Sequence, residues 1–502
     1  MDRLNENNLM KVKSTFSDIL IGHYDRKDIQ PGIVHFGVGN FHRGHQAKYI
    51  DNLLSKKITE WGIIGVSMRS SAVRDKLAPQ DFIFSEVTLS DTIQIRIIRS
   101  ILNILVASES PVEIVSQLSD PRIKLVTITI TEKGYYLSYN KLDTTQPEIV
   151  SDTKSLKKPY TIYGFLASTI IQRRKYDAGP LSVLCCDNIQ NGGEVLRIGV
   201  EELLTVHDRE SLLWIEKNVS FASSVVDRVT PSTDLSLIKL VASKLPLDDR
   251  WPVAAEPFSQ WIVENKFAAE TPPLERVGVK FCEDISPFEQ MKLRFLNASH
   301  SIVAVMGYLG AHENIHEAVD QPVVLEFLDS TLFKDILPAN RLPNEVCGKT
   351  YIREVLERFK NRALPYKVQQ VNTDSSQKIS QRWFPTIDSA LKKNRTPRHL
   401  SFALAAWVVY VEKALDEKEL NDPLHNEISR ALVKTIDKDN KHPDNQYKVR
   451  HLLAIAGAKH FDFFKSHSFI ASVVNNYQRI NRLHINEALT CFLVQQSKRY
   501  KD

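Results

Sequence analysis

Four short apolar runs in the first part of the chain limit its fold more than any other feature. They are residues 33–36 (IVHF), 63–68 (IIGVSM), 125–130 (LVTITI) and 181–186 (LSVLCC). Each is bounded by Gly, Pro or charged residues and is too short for a helix, which predicts strands buried on both faces. Helix-like stretches, such as residues 46–54 and 111–118, lie between them. Strands alternating with helices imply βαβ units and a largely parallel sheet. Beyond Pro287 strand signals become scarce, and residues 288–309, 313–333, 351–359, 400–417, 425–436 and 485–496 carry helical periodicity. The expected fold is therefore an α/β chain with a Rossmann-type parallel-sheet domain at 1–285 and a mainly α-helical domain at 286–502. A charged, Pro-containing loop is expected at 437–445.

Several function classes are disfavoured by composition. A length of 502 residues exceeds one ordinary core, so two or three domains are expected. Hydrophobic residues at 43% and charged residues at 25% give the balance of a globular protein. The net charge is only +5, with Lys and Arg interspersed among Asp and Glu, so no nucleic-acid partner is expected. The polar N-terminus has no apolar signal core, and no stretch approaches the roughly 20 apolar residues of a membrane span. Five scattered cysteines do not suit a disulfide framework. These features predict a cytoplasmic protein with reduced thiols and no membrane partner.

The first run ends in Gly37-Val-Gly39-Asn40-Phe41-His42-Arg43-Gly44. Gly37 and Gly39 fit the first two glycines of a dinucleotide fingerprint: one permits the tight turn, the other lets backbone approach a pyrophosphate, and the following helix presents its N-terminus. His42 stands where the third glycine would be, so a plain strand–turn–helix is the competing reading. Gly37, Gly39, Asn40, Phe41 and Arg43 are the cofactor candidates on this side. After the second run no acid appears until Asp75. Arg69 could therefore meet the 2′-phosphate of NADP or merely line the adenine side. NAD is expected, with NADP not excluded.

The segment Ser286-Pro-Phe-Glu289-Gln-Met-Lys292-Leu-Arg-Phe-Leu-Asn297-Ala-Ser-His300 carries a second signal. Ser286 suits an N-cap and Pro287 a first turn. At about 100° per residue Glu289, Lys292, Asn297 and His300 fall within roughly 140°. Met291, Phe295 and Ile302 make the opposite face apolar, which predicts burial on both sides. Buried polar groups need partners or a task. A desolvated lysine can serve as the base in alcohol oxidation, and an asparagine amide can donate to the developing oxygen charge. A structural Glu289–Lys292 ion pair is the alternative.

Taken in order, GVGNFHRGHQ, TEKGYY (131–136), CDNIQNGG (186–193), VDRVTP (226–231), EPFSQW (256–261) and MKLRFLNASHS (291–301) resemble the polyol-specific long-chain dehydrogenases. That family includes mannitol 2-dehydrogenase and the hexuronate reductases. The resemblance implies Lys292 as catalytic lysine, Asn188 and Asn297 as the oxyanion asparagines, His300 as their companion and Glu289 as a water-channel carboxylate. It adds Thr131, Glu132 and Asp227 to the cofactor candidates. It also implies a Rossmann domain, a helical domain, an active site between them, and a monomer.

For the substrate, the resemblance places Gln370 where the mannitol enzymes carry an arginine, and Asp374-Ser-Ser replaces their Asp-Gly-Ser. The wording around it is closer to fructuronate reductase, with Lys378 and Arg382 as candidates for holding a substrate carboxylate. The expected reaction is metal-independent hydride transfer between NAD(H) and D-fructuronate/D-mannonate, with fructose/mannitol as the alternative. A remote alternative is His312-Glu313-Asn-Ile-His316, which on a helix would read as a zinc peptidase motif. His35, His42 and His45 are expected in the fold or cofactor pocket rather than at a metal.

Overall fold

The four apolar runs form the centre of one six-stranded parallel sheet. The computed structural model describes residues 1–12, 19–138, 141–434 and 445–499. Within it the strands are β1 (Gln30–Phe36), β2 (Trp61–Ser67), β3 (Ile101–Val106), β4 (Leu125–Ile128), β5 (Leu181–Cys185) and β6 (Val219–Ala222). Their spatial order is β6-β5-β4-β1-β2-β3, with every neighbouring pair parallel. This is the doubly wound Rossmann order, and its direction reverses between β1 and β4.

Successive residues of a strand face opposite sides, and here both sides are covered. Val34, Phe36, Ile64 and Val66 join a core with Ile114, Ile162 and Leu196 from the crossover helices Pro111–Ser119, Ile162–Tyr176 and Gly192–His207. Ile33 and Ile63 join a second core with Ala47, Ile50 and Leu53 of helix Gln46–Ser55 and with Trp261. Burial on both faces is why the runs are apolar without alternation. The two outer strands were not anticipated. Asn103 interrupts β3, and β6 is only four residues long and contains Ser220.

Smaller sheets surround this core. The antiparallel pair Phe84–Thr88 and Gln94–Ile98 is flanked by Val253–Ala255 and Ile19–Ile21, each running parallel to its neighbour. Ser224–Asp227, Gln260–Glu264 and Lys280–Cys282 make a three-stranded sheet. The extreme N-terminus, Asp2–Arg3, pairs with Leu247–Asp248.

The chain divides into two compact units, Met1–Ser286 and Pro287–Asp502. The second is built from helices, with Arg398–Asp416 at its centre. Phe402, Leu404, Trp407 and Val411 of that helix are fully buried. The single helix expected over 313–333 is divided into Ile315–Val319, Pro322–Thr331 and a π-helical turn at Leu332–Ile336. Pro322 explains the first break, because proline suits a helix's first turn and not its interior. The expected helix at 425–436 is seen as His425–Lys434, and residues 435–436 lie outside the described residues. Of the expected loop at 437–445, residues 437–444 also lie outside them, and Asn445 opens helix Asn445–Ile455. Among the described residues no helix is long and apolar enough to cross a membrane.

Candidate active site

The first group of candidate residues sits at the carboxyl ends of β1, β4 and β5, beside the reversal in strand order. Gly37 adopts φ +95°, and a Cβ there would lie 1.9 Å from the carbonyl oxygen of Thr129. Only glycine fits that turn. At Gly39 the situation is opposite. Its backbone is extended, and a Cβ would find nothing nearer than the Gly37 oxygen at 4.0 Å. One glycine is required by the protein's own packing. The other leaves open space beside the turn, as a bound pyrophosphate would need.

Behind the turn lies a set of buried side chains. His35 Nδ1 is 2.7 Å from Thr127 Oγ1, and its Nε2 is 2.8 Å from Thr129 Oγ1. His42 stacks on His35 with centroids 3.4 Å apart. Burial lowers the His35 pKa to about 3 and that of His42 well below the ordinary value, so both rings are neutral. They belong to the fold, and among the described residues no group of His, Cys, Asp and Glu is arranged to hold a metal.

Arg43, a cofactor candidate, has its side chain committed within the protein. Its side chain is fully buried; Nη1 donates to Trp251 O at 2.5 Å and Nη2 to Asn40 Oδ1 at 2.6 Å. Burial lowers its pKa to about 9. Asn40 in turn donates to Pro231 O at 2.9 Å, so both side chains brace the turn from behind. Phe41 is half-buried and stacks on His45 at 4.9 Å. The helix after the turn comes in two pieces, the second matching the helix expected at 46–54. It spans Asn40–Gly44, breaks at His45 and resumes as Gln46–Ser55.

The VDRVTP and EPFSQW segments meet beside this turn. The buried Arg228 donates to the carbonyl oxygens of Gly44 and Glu256 and pairs with Glu86 at 2.7 Å. Val229 N donates to Glu256 Oε1 at 2.7 Å. Asp227 is buried on the neighbouring strand, opposite Gln260. Arg69 is exposed just past the end of β2, where it is free of the core.

Asp187, which the sequence reading passed over, joins the TEKGYY and CDN segments. Its Oδ2 accepts from Ile130 N at 2.8 Å and from the Tyr135 hydroxyl at 2.8 Å, while Oδ1 accepts from Thr131 N at 3.0 Å. Desolvation pushes its carboxyl pKa up to about 6, with these hydrogen bonds opposing the rise. Thr131 and Glu132 are exposed at the head of the short helix Glu132–Tyr135, and Asn188 is exposed in the loop after β5. The motif CDN did contain the signal, but only its asparagine was read.

In the second unit the lysine segment is not a uniform α-helix. Ser286–Met291 is α-helical, Lys292–Asn297 is a π-helix, and Ala298–Leu309 is α-helical again. The 100° wheel therefore misplaces these side chains. In an i→i+5 turn, residues five apart stand about one turn apart, which brings Lys292 and Asn297 onto one side. The start of the segment is also less enclosed than expected. Glu289, Lys292 and Arg294 are half-buried, whereas residues 298–308 are buried throughout. Ser286 lies within the first turn, and the side chain of Asp284 accepts its N–H at 2.9 Å. His300 packs its ring against Phe359 at 4.5 Å and Tyr366 at 5.4 Å.

The end of the π-turn is held from outside. Arg382 Nη1 donates to Asn297 O at 3.0 Å and to Ser301 Oγ at 2.7 Å, and Trp383 Nε1 donates to Ala298 O at 3.1 Å. Arg382, expected to bind a substrate carboxylate, thus commits donors to the lysine segment. Gln370 is exposed on helix Val368–Asn372. Lys378, on the next helix, Ser375–Arg382, donates to Val371 O at 3.0 Å, which brings its ammonium beside the Gln370 helix.

The zinc-peptidase alternative does not survive this geometry. Ala311 has φ +57°, and residues 312–314 precede the helix Ile315–Val319. Ile315 N donates to Tyr366 O and Val368 N to Glu313 O, both at 2.9 Å. Glu313 pairs with Lys367, and Asn314 and Glu317 form a capping box. His312 and His316 therefore do not share a helical face, and the motif instead anchors the strand-like stretch that leads to Gln370.

Comparison with known proteins agrees with this architecture. Residues 31–276 match the mannitol dehydrogenase Rossmann domain and residues 284–481 the mannitol dehydrogenase C-terminal domain. A mannitol 2-dehydrogenase of Pyricularia oryzae is 35% identical, over 82% of this chain and 85% of its own. A polyol:NADP oxidoreductase of Gluconobacter oxydans is 31% identical, over 85% of this chain and 90% of its own. The solved mannitol 2-dehydrogenase of Pseudomonas fluorescens, in ternary complex with NAD and D-mannitol, superimposes with a TM-score of 0.86 at 30% identity, covering 98% of this chain and 99% of that one. With its Rossmann strand order, its glycine turn and its lysine-bearing π-turn, the chain belongs to the mannitol dehydrogenase family of oxidoreductases.

Proposed function

We propose that the protein interconverts a secondary alcohol of a linear polyol and the corresponding ketose, using a nicotinamide dinucleotide. The observation that carries this reading is the π-turn that sets Lys292 and Asn297 on one side of the same helical segment. The open space at Gly39 and the positive φ of Gly37 fit a dinucleotide whose pyrophosphate lies along the turn. The bound dinucleotide supplies or accepts the hydride. Lys292, as the neutral amine, takes the hydroxyl proton during oxidation and returns it during reduction. Asn297 and Asn188 donate hydrogen bonds to the oxygen as it gains negative charge. His300, fixed between aromatic rings, orients the substrate, and Glu289 exchanges the proton with water.

A sugar acid is the second reading. Gln370 is neutral and Lys378 places an ammonium beside that helix, and an ammonium pairs with a carboxylate. The relatives favour the polyol, since the mannitol 2-dehydrogenases and the polyol:NADP oxidoreductase carry polyol names. Their names include both NAD and NADP, and the exposed Arg69 leaves room for a 2′-phosphate. Mannitol, arabinitol, sorbitol, fructose, fructuronate and tagaturonate should be assayed with both cofactors, alongside Lys292→Met. Turnover of a polyol–ketose pair, lost at least about 1,000-fold in Lys292→Met, is the expected result. Faster turnover of fructuronate would replace the polyol by the sugar acid, and unchanged turnover in Lys292→Met would remove the mechanism.

A further inference from the structure

We propose that Asp187 is a positioning residue for the dinucleotide, acting by holding the backbone of Ile130 and Thr131 against the glycine turn. The inference rests on the dinucleotide reading above and adds a residue to it.

Thr131 has φ +67° and ψ 160°, a region populated almost only by glycine and unfavourable for a β-branched side chain. A residue stays there only when its surroundings hold it. Two N–H groups in succession, those of Ile130 and Thr131, donate to the two oxygens of one carboxylate. The Tyr135 hydroxyl, which also lies 3.3 Å from Cys185 Sγ, adds a third donor. An amide side chain has a single acceptor oxygen and cannot reproduce this pattern.

The strained stretch faces the turn. Thr129 N donates to Phe36 O at 2.8 Å, and Thr129 Oγ1 donates to Gly37 O at 2.9 Å. The Thr129 carbonyl is the group that closes on Gly37. Asp187 thus fixes the stretch that forms one wall of the proposed pyrophosphate site, and it does so from the residue preceding Asn188. Its own carboxylate is spent on the protein, so it touches neither cofactor nor substrate.

The test is NADH affinity of the full-length protein without sugar, followed by fluorescence titration. In Asp187→Asn the dissociation constant should rise about tenfold, as expected for losing charge-assisted hydrogen bonds. The KM for the sugar, measured at saturating dinucleotide, should change less than about twofold. Adding Thr131→Gly should recover a large part of the lost affinity, because glycine holds that conformation unaided. An unchanged dissociation constant, equal losses in both parameters, or absence of rescue would each overturn the assignment. If Asp187→Asn does not fold, Tyr135→Phe carries the test: it removes one donor and should weaken NADH by about two- to fivefold, and unchanged affinity would refute the proposal. Wild-type protein that binds neither NADH nor NADPH would overturn the dinucleotide reading itself, whereas normal wild-type binding with unaffected variants would overturn only the role of Asp187.

Discussion

Gly37→Ala and Gly39→Ala should separate folding from cofactor binding, although they lie two residues apart. At Gly37 an alanine must hold φ +95°, which costs an L-residue about 1–2 kcal/mol. Its Cβ would also sit 1.9 Å from the Thr129 carbonyl oxygen. Backbone must move to relieve that contact, at about 1–3 kcal/mol. The expected loss of stability is about 2–5 kcal/mol, or about 5–15 °C in melting temperature. At Gly39 the backbone is already extended and the nearest atom to a Cβ is 4.0 Å away. Alanine there should be neutral or stabilising by about 0.4–1 kcal/mol, since it restricts the unfolded chain. Its methyl would nonetheless occupy the space assigned to the pyrophosphate, weakening the dinucleotide at least about tenfold. Thermal melts and NADH titrations of both variants give the four values needed. A Gly39→Ala protein that binds NADH normally would show that the open space is not where the pyrophosphate lies, and a Gly37→Ala protein as stable as the parent would refute the close approach to Thr129.

Three further outcomes follow from side-chain geometry. Asp187 titrates at about 6 in the fold, above the ordinary carboxylate value of about 3.9. Its raised pKa means that its contribution to stability is present at low pH and is lost as pH rises through about 6. Acidification from pH 7 to 5.5 should therefore weaken NADH binding, by protonating the acceptor, without this group lowering the melting temperature. Tyr135 and Glu132 act on the same carboxyl group, and a pH-independent affinity in Glu132→Gln and wild type alike would contradict the assignment. Arg382→Met removes the donor to Asn297 O and Ser301 Oγ, so kcat should fall about tenfold for polyol and sugar acid alike; a rise in KM confined to the sugar acid would restore its role as a carboxylate anchor. With Lys292 as base, kcat/KM for oxidation should rise with pH to a plateau, and a flat profile between pH 6 and about 10 would refute it.

How far the sequence could be read depends on whether one element's environment is uniform. β1, β2, β4 and β5 were legible because both faces of each are covered by apolar side chains. Asn103 and Ser220 disguised the outer strands, whose surroundings are more mixed. The composition of the lysine segment was legible, but its π-turn was not, because a periodicity of 3.6 has no place for one extra residue in a turn. Arg43 became a cofactor candidate from its place in the glycine turn, and Arg382 a carboxylate candidate from the resemblance around Gln370. Both donate instead to backbone oxygens and neighbouring side chains, a contact made by residues far away in sequence. Asp187 failed to stand out for the same reason: its importance lies in two N–H groups nearly sixty residues away.

The pairing of Val253–Ala255 with Phe84–Thr88 sets an order of events during synthesis. Residues 84–88 leave the ribosome long before residue 255, and at about 5–20 residues per second the delay is roughly 8–33 s. Through that interval the strand carrying Glu86 has only its hairpin partner, and its other edge presents unpaired backbone groups. Arg228, the buried partner of Glu86, arrives late as well. The first unit therefore cannot close as its chain emerges, and nascent chains halted between residues 100 and 250 should be the aggregation-prone species of this protein.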